Sequence, residues 1–509
     1  MRRSIRPWRN QWFAVSEVRS KLATGAAWVI GARLLSNFAA FVGMLALARL
    51  LLPEDFGIVA IALTATAIVS SLTEISVSAA LVHLRKVEED HFHSAWTLSM
   101  ARSLVLSVIL AGLAWPITWA YGDARLLPLM LVMAGITMIS GFANPRLALF
   151  ARELSFWQDA TLNLGGRVTG LVVSISIAWA FRSYWAIVAG QAATVACTIV
   201  LGYLLLPYRP RIRFYDLRRM FSFSAWLSLQ QAINTLNWRS DPLLISFFAG
   251  PMALGHYTVG DNLASLPTRE ALSPLSNMLF PGLSRVSDDP TALRAAYIRV
   301  QSLLSMVAFP MGFGLAMVAE PMMMLALGER WAPAVPIVQV LAGIFAVQTL
   351  SSALQPLAMA MGQTRLLFLR DCINFAIRVP LMVAGVMLGG LMGAVFARCL
   401  SGLISTAIGV SLVNRLLSIS PLEQFRANLR TILATLVMTC GVGLGLLAAA
   451  PITLGNGLQV AGTVVIGAAL YVGTLLVSWH IAGRPHGPEL DFLQIAARAF
   501  PPLRRFAAP

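Results

Sequence analysis

Lysine is almost missing from this chain of 509 residues: Lys21 and Lys86 are the only two, and every other basic residue is arginine. Charge of either sign is scarce. Charged residues make up 12% against 58% hydrophobic ones, where a soluble protein carries about 25% charged residues, so most of the chain belongs in lipid. The four cysteines, Cys197, Cys372, Cys399 and Cys440, stand singly in apolar segments without ligand spacing, which excludes a disulfide framework and a zinc site. No glycine-rich phosphate loop ending in Lys-Ser or Lys-Thr exists, which excludes ATP hydrolysis and leaves a gradient as the energy source. Outer loops are short. They leave no room for the extracytoplasmic catalytic region of a membrane-embedded glycosyltransferase or polymerase, so the chain reads as no enzyme, with no catalytic residue. The His91-Phe92-His93 pair falls between apolar segments and reads as solvated loop rather than metal site. The net charge of +16 sits in loops rather than on one basic domain, which excludes nucleic acid as partner.

What is present is a long series of apolar segments. A span needs about 20 mostly apolar residues, and breaking the chain at charged, Pro and Gly punctuation gives fourteen: 22–51, 56–84, 94–120, 126–150, 158–181, 184–206, 220–249, 252–280, 294–318, 332–360, 366–389, 391–414, 428–450 and 457–482. The sequence also repeats itself. Ala27, Trp28, Pro53 and Gly57 fall in step with Ala225, Trp226, Pro251 and Gly255, at an offset of 198. The expected fold is therefore an all-α polytopic membrane protein of about fourteen transmembrane helices, with two parallel six-helix repeats and two C-terminal helices. Its expected parts are a basic interfacial tail (1–21), an N-lobe (22–206), a linker (207–219), a C-lobe (220–415), the last two spans (428–482) and a second tail (483–509). Arginines crowd the first tail, the 207–219 loop and the last tail, while the loops at 52–55, 250–251, 390 and 451–456 have no Lys or Arg. The positive-inside rule then puts both termini in the cytoplasm.

Charges inside spans cost about 3 kcal/mol each near the bilayer centre on insertion scales, and usually face the bundle interior. Arg239 lies about eleven residues before the turn near Pro251 and Asp261 about ten after it, each roughly 16 Å deep at 1.5 Å per residue. Asp261 is thus the expected partner of Arg239. The run from Asn234 through Asn237 to Asp241 and Pro242 is too polar for a lipid-facing wall, and Pro242 frees a carbonyl. Arg239 and Asp241, two apart, do not face each other on a regular helix. Arg33 and Glu74, both near the cytoplasmic mouth, are expected to pair; Arg269 and Glu270 fall at a similar depth, and Arg378 and Arg398 near the middle of spans eleven and twelve. Two readings stay open: ion pairs that fix the bundle, or an anion site. The surplus of arginine favours an anionic cargo, a phosphate or diphosphate, gripped by guanidinium forks. The substrate-binding candidates are Arg33, Arg239, Arg269, Arg378, Arg398, Asn234 and Asn237. The ion-coupling candidates are Asp241, Asp261, Glu270 and Glu74, for a coupling proton or sodium ion; no other cofactor and no metal is expected.

The stretch Gly31-Ala32-Arg33-Leu34-Leu35-Ser36 through Ala48-Arg49-Leu50-Leu51-Leu52-Pro53-Glu54-Asp55-Phe56-Gly57 resembles the first hairpin of Wzx-type polysaccharide repeat-unit flippases, of the multidrug, oligosaccharidyl-lipid and polysaccharide exporter superfamily. So do Leu254-Gly255-His256-Tyr257 and Phe280-Pro281-Gly282-Leu283-Ser284-Arg285. The resemblance implies two six-helix lobes around a cationic cavity, moving an undecaprenyl-diphosphate-linked oligosaccharide across the bacterial inner membrane. A polysaccharide polymerase and a chain-length regulator are the implied partners, beside the bilayer and the lipid-linked glycan. A lipid-linked peptidoglycan precursor flippase, a cation-coupled small-molecule exporter and a non-transporting scaffold remain as alternatives.

Overall fold

Twenty apolar residues wound at 1.5 Å each reach across the roughly 30 Å hydrocarbon layer, and in lipid only a helix satisfies its own backbone. The computed structural model describes residues 31, 35–72, 88–152, 156–214, 225–449, 456–484, 487 and 489–490, and these are all-α, without strands. The helices are α1 (Leu35–Leu50), α2 (Pro53–Leu72), α3 (Glu89–Tyr121), α4 (Leu126–Ser140), α5 (Ala148–Arg152), α6 (Phe156–Phe181), α7 (Trp185–Leu205), α8 (Ala225–Ser284), α9 (Pro290–Ala326), α10 (Val335–Gln348), α11 (Leu354–Ala360), α12 (Thr364–Leu417), α13 (Pro421–Ala449) and α14 (Asn456–Ile481).

Two of these are hairpins. Gly250 (φ 85°, ψ 169°) breaks α8, and Gly389 with Gly390 (φ 56°, ψ −137°) breaks α12. These φ values are open to glycine and costly for other residues. A Cβ at Gly385 would meet the Ala397 Cβ at 2.6 Å, although twelve residues of straight helix span about 18 Å. Each hairpin supplies two crossings and α10 with α11 one, so fourteen crossings can be followed among the described residues. The break at Gly250–Pro251 answers, in the repeat, to the break before Pro53, where the Leu52 N–H donates to Asp55 Oδ2 at 2.9 Å.

Three expectations shift. The fourth span stops at Ser140 rather than 150, because Gly141 presses against Ser103 and Pro145 opens a short 3-10 turn. The tenth is interrupted at 349–353, since Pro356 lacks an N–H and its ring crowds the carbonyl of Ser352. His91 and His93 are not solvated loop: His91 is buried in the first turn of α3 and its Nδ1 accepts the Glu88 N–H at 3.1 Å.

The chain divides into two compact units between Arg239 and Ser240, within α8. In the first, α3 lies along α4, α4 meets α7, and α6 packs on α7 through small residues: Gly170 and Ser174 face Gly190 and Thr194, and a Cβ at Gly170 would stand 2.7 Å from the Gly190 carbonyl. One end is tied by Arg125, which bonds both Asp123, at 2.8 Å, and Glu54. At the other end Asn144 donates to the carbonyls of Gly202 and Leu206 at 3.0 and 2.8 Å. In the second unit α9 is central, packing on α10, α13 and α14. The expected C-terminal appendage is joined to α9 by buried polar contacts: Gln301 donates to Gln424 at 3.1 Å, Ser305 bonds Asn428, and Tyr471 donates to the Met306 carbonyl at 2.7 Å.

Candidate functional site

The two most deeply buried charged residues of the second unit, Asp241 and Arg398, meet in one cluster centred on Asp241. This residue stands in the first arm of α8 just before Pro242, whose ring loosens the helix there. Across from it, Arg378 of the first arm of α12 closes a fork on the carboxylate: Nε donates to Oδ1 at 2.9 Å and Nη2 donates to Oδ2. Arg398, from the second arm of α12, brings Nε to 3.4 Å from Oδ2, and its guanidinium lies 5.3 Å from the ring centroid of Phe345 on α10. Tyr257, on the second arm of α8, reaches the same oxygen at 3.5 Å. The side chains of Asp241 and Arg398 are each 2% exposed. Asp261 is half-buried and within Coulombic reach of Arg398, Asp241 and Arg378.

Two guanidiniums and two carboxylates therefore balance in one buried cluster. Such charges leave water at a cost of several kcal/mol each, offset only by close pairing and completed hydrogen bonds. Neutralising Asp241 would leave the two buried guanidiniums with half-buried Asp261 alone to balance them in this cluster. The arrangement chemically links the charge state of one group to the packing of four helical arms.

Among the expected site residues, Asp241, Asp261, Arg378 and Arg398 are brought together. Arg239 is exposed, with no ion pair among the described residues, so the expected pairing with Asp261 gives way to the convergence on Asp241. Arg269 is largely exposed and meets its neighbour Glu270 at 3.3 Å. Asn237 is buried one turn before Asp241, and Asn234 is half-buried. Arg33 and Glu74 lie outside the described residues. Tyr257 and Phe345 were not anticipated, yet a depth count finds the first. Asp241 is about 9 residues before Gly250 and Tyr257 about 7 after; Arg378 is about 11 before Gly389 and Arg398 about 8 after Gly390, all about 10–17 Å from their turns.

A helical membrane bundle with charge clustered inside its spans defines a transporter-like polytopic protein. The family model for polysaccharide biosynthesis proteins matches residues 46–336, more than half of the chain, and the chain belongs to that family. It is 26% identical over 376 residues to the succinoglycan biosynthesis transport protein ExoT of Rhizobium meliloti (strain 1021), covering 73% of this chain and 76% of that one. It is 22% identical over 395 residues to the lipopolysaccharide biosynthesis protein WzxC of Escherichia coli (strain K12), covering 77% and 80%. The lipid II flippase MurJ, in an inward closed conformation, has the same fold, with a TM-score of 0.72 at 14% identity over 89% of this chain and 99% of that one. The expected exporter-superfamily fold is thus found.

Proposed function

We propose that this protein is a flippase that moves a polyprenyl-diphosphate-linked oligosaccharide, a repeat unit of a surface or exported polysaccharide, across the bacterial inner membrane. The observation that carries this reading is the family match over residues 46–336, on a fold of fourteen crossings with arginine inside them. The relatives named for succinoglycan and lipopolysaccharide biosynthesis support a glycan cargo. Transport is by alternating access coupled to a proton or sodium gradient, with both termini in the cytoplasm, as the basic tails support. A polymerase and a chain-length regulator receive the product.

Exposed Arg239 and Arg269 are the guanidiniums offered to the diphosphate, with Asn234 nearby on α8 for the glycan and Arg33 as a further candidate. Arg378 and Arg398 are committed to Asp241 and act in coupling rather than in the first grip on cargo, with Asp261, Glu270 and Glu74 as further coupling candidates. The balanced charge of the Asp241 cluster favours this over a cation exporter, which calls for a dominant acidic site. Cells lacking the protein should accumulate polyprenyl-diphosphate-linked oligosaccharide in a lipid extract, cleared by the wild type and not by an equally expressed Arg239→Ala variant. Normal surface glycan without accumulation would overturn the reading and direct attention to small-molecule export.

A further inference from the structure

The segment following α7 is neither helix nor loose loop. From Arg209 to Phe214 it alternates Arg-Pro-Arg-Ile-Arg-Phe outside any helix. The N–H groups of Arg211 and Arg213, two apart, both turn to α3, which is the spacing of an extended chain, whose successive side chains point to opposite faces. Arg209, Arg211 and Arg213 therefore share one face, and Pro210, Ile212 and Phe214 the other. All six are exposed, Ile212 and Phe214 by 71% and 73%. The strap is nonetheless fixed. Tyr208 Oη lies 2.8 Å from His93 Nδ1, the Arg211 N–H reaches the same nitrogen at 3.3 Å, and the Arg213 N–H donates to Thr97 Oγ1 at 3.1 Å. Arg213 pairs with Asp90 at 2.6 Å, and Arg146, over the Tyr208 ring at 5.0 Å, pairs with Glu89 at 2.6 Å. Burial pushes the Tyr208 hydroxyl up to about 12, so it keeps its proton and can donate to His93.

These ties fix the strap's direction and depth. Its backbone contacts run from His93 at Arg211 to Thr97 at Arg213, with the long Arg213 side chain reaching back to Asp90, so the strap descends along α3 toward the membrane. At 33 residues, α3 is about 50 Å long, well beyond the roughly 30 Å hydrocarbon layer. Trp115 and Trp119, 68% and 78% exposed near its far end, are the residue type that marks a membrane interface. Counting back about 20 residues from them puts the opposite edge of the hydrocarbon near residues 95–99. That is the level of Thr97, where the strap ends. At this depth an exposed phenylalanine and isoleucine would meet acyl chains, and Arg209 and Arg211, with no ion pair to a described residue, would face the headgroups.

We propose that residues 209–214 form a built-in interfacial anchor, in which Ile212 and Phe214 enter the acyl boundary and Arg209 and Arg211 bind the phosphates of anionic phospholipids. The full chain, with its four native cysteines changed to alanine and Phe214→Cys carrying a bimane, is reconstituted into vesicles of phosphatidylcholine with or without phosphatidylglycerol. The expected result is quenching by nitroxides placed high on the acyl chain and shielding from aqueous iodide. Phosphatidylglycerol retained in native mass spectra should fall by about fivefold per arginine removed in Arg209→Gln/Arg211→Gln, and hold in Arg209→Lys/Arg211→Lys. An unchanged melting temperature establishes that these exposed variants are folded. Iodide quenching without nitroxide quenching, as expected if the strap docks a soluble protein instead, would overturn the proposal. So would equal phosphatidylglycerol retention in the glutamine pair.

Discussion

The Asp241 cluster sets the terms at the scale of single residues. Removing one partner of a buried pair leaves an uncompensated charge at a cost of about 3–5 kcal/mol. Asp241→Asn should therefore lower the thermal stability of the purified protein by an amount of that order, and adding Arg378→Met should recover part of the loss. Simple additivity of the two losses would contradict the coupling drawn here. A second residue-level prediction concerns Asp123, outside the spans, whose carboxyl is held below its usual range chiefly by the bond from Arg125. A depressed folded value means that this stabilisation is complete above the ordinary carboxylate range near pH 4 and fades as pH falls through the lowered value. The stability gap between wild type and Asp123→Asn should close on acidification below about pH 4, as read from melts across that window. The members of the cluster were legible one by one, because an intramembrane charge stands out in an apolar sequence. Their pairing was not, because it depends on which helices are neighbours. Equal depth from two glycine turns was the signal available for Asp241, Arg378 and Arg398; Arg239 lies at the same depth, and only its offset of two residues from Asp241 turns it to another face of the helix. His91 misled for a local reason: a capping histidine is spaced no differently from a loop one.

At the scale of elements, lipid makes the helices readable and glycine and proline decide how they end. Fourteen apolar runs follow from the length a bilayer demands, and the hairpin turns at Gly250 and Gly389–Gly390 fell where charged residues were missing and glycine stood. The interruption at 349–353 was hidden, because Pro356 within an apolar run looks the same whether it bends a helix or splits it. Since Gly250 has φ 85° and ψ 169°, Gly250→Ala should cost about 1–3 kcal/mol. Gly282→Ala, where an added Cβ meets open space, should raise helix propensity without strain. Melting both variants beside the wild type checks the contrast. The α6–α7 pair gives a packing test. A Cβ at Gly190 would strike Ser174 and stand 2.7 Å from the Gly170 carbonyl, so Gly190→Leu should separate the helices and reduce folded yield, whereas Gly112→Leu, with open space at its Cβ, should not. Close helix approach through small residues is the usual glue of membrane bundles.

At the scale of the whole molecule, the last two helices and the division of the chain bear on function. The polar contacts from Gln301 and Ser305 to Gln424 and Asn428 sit in a low-dielectric interior, where an abandoned partner costs about 1–3 kcal/mol. Asn428→Leu should therefore destabilise the second unit, and a chain ending after residue 417 should fail to fold rather than shed a dispensable appendage; proteolysis of membranes expressing each form reads this out. Direct evidence for the central claim, that this member of the polysaccharide biosynthesis family flips a lipid-linked oligosaccharide, comes from purified protein in sealed vesicles carrying polyprenyl-diphosphate oligosaccharide in one leaflet. A glycan-binding probe confined to one compartment would count exposed cargo over time under an imposed ion gradient. Cargo should cross in a manner that depends on the protein and the gradient and is lost in Arg239→Ala. Cargo that stays in its leaflet with folded wild-type protein present, under either proton or sodium gradients, would contradict it.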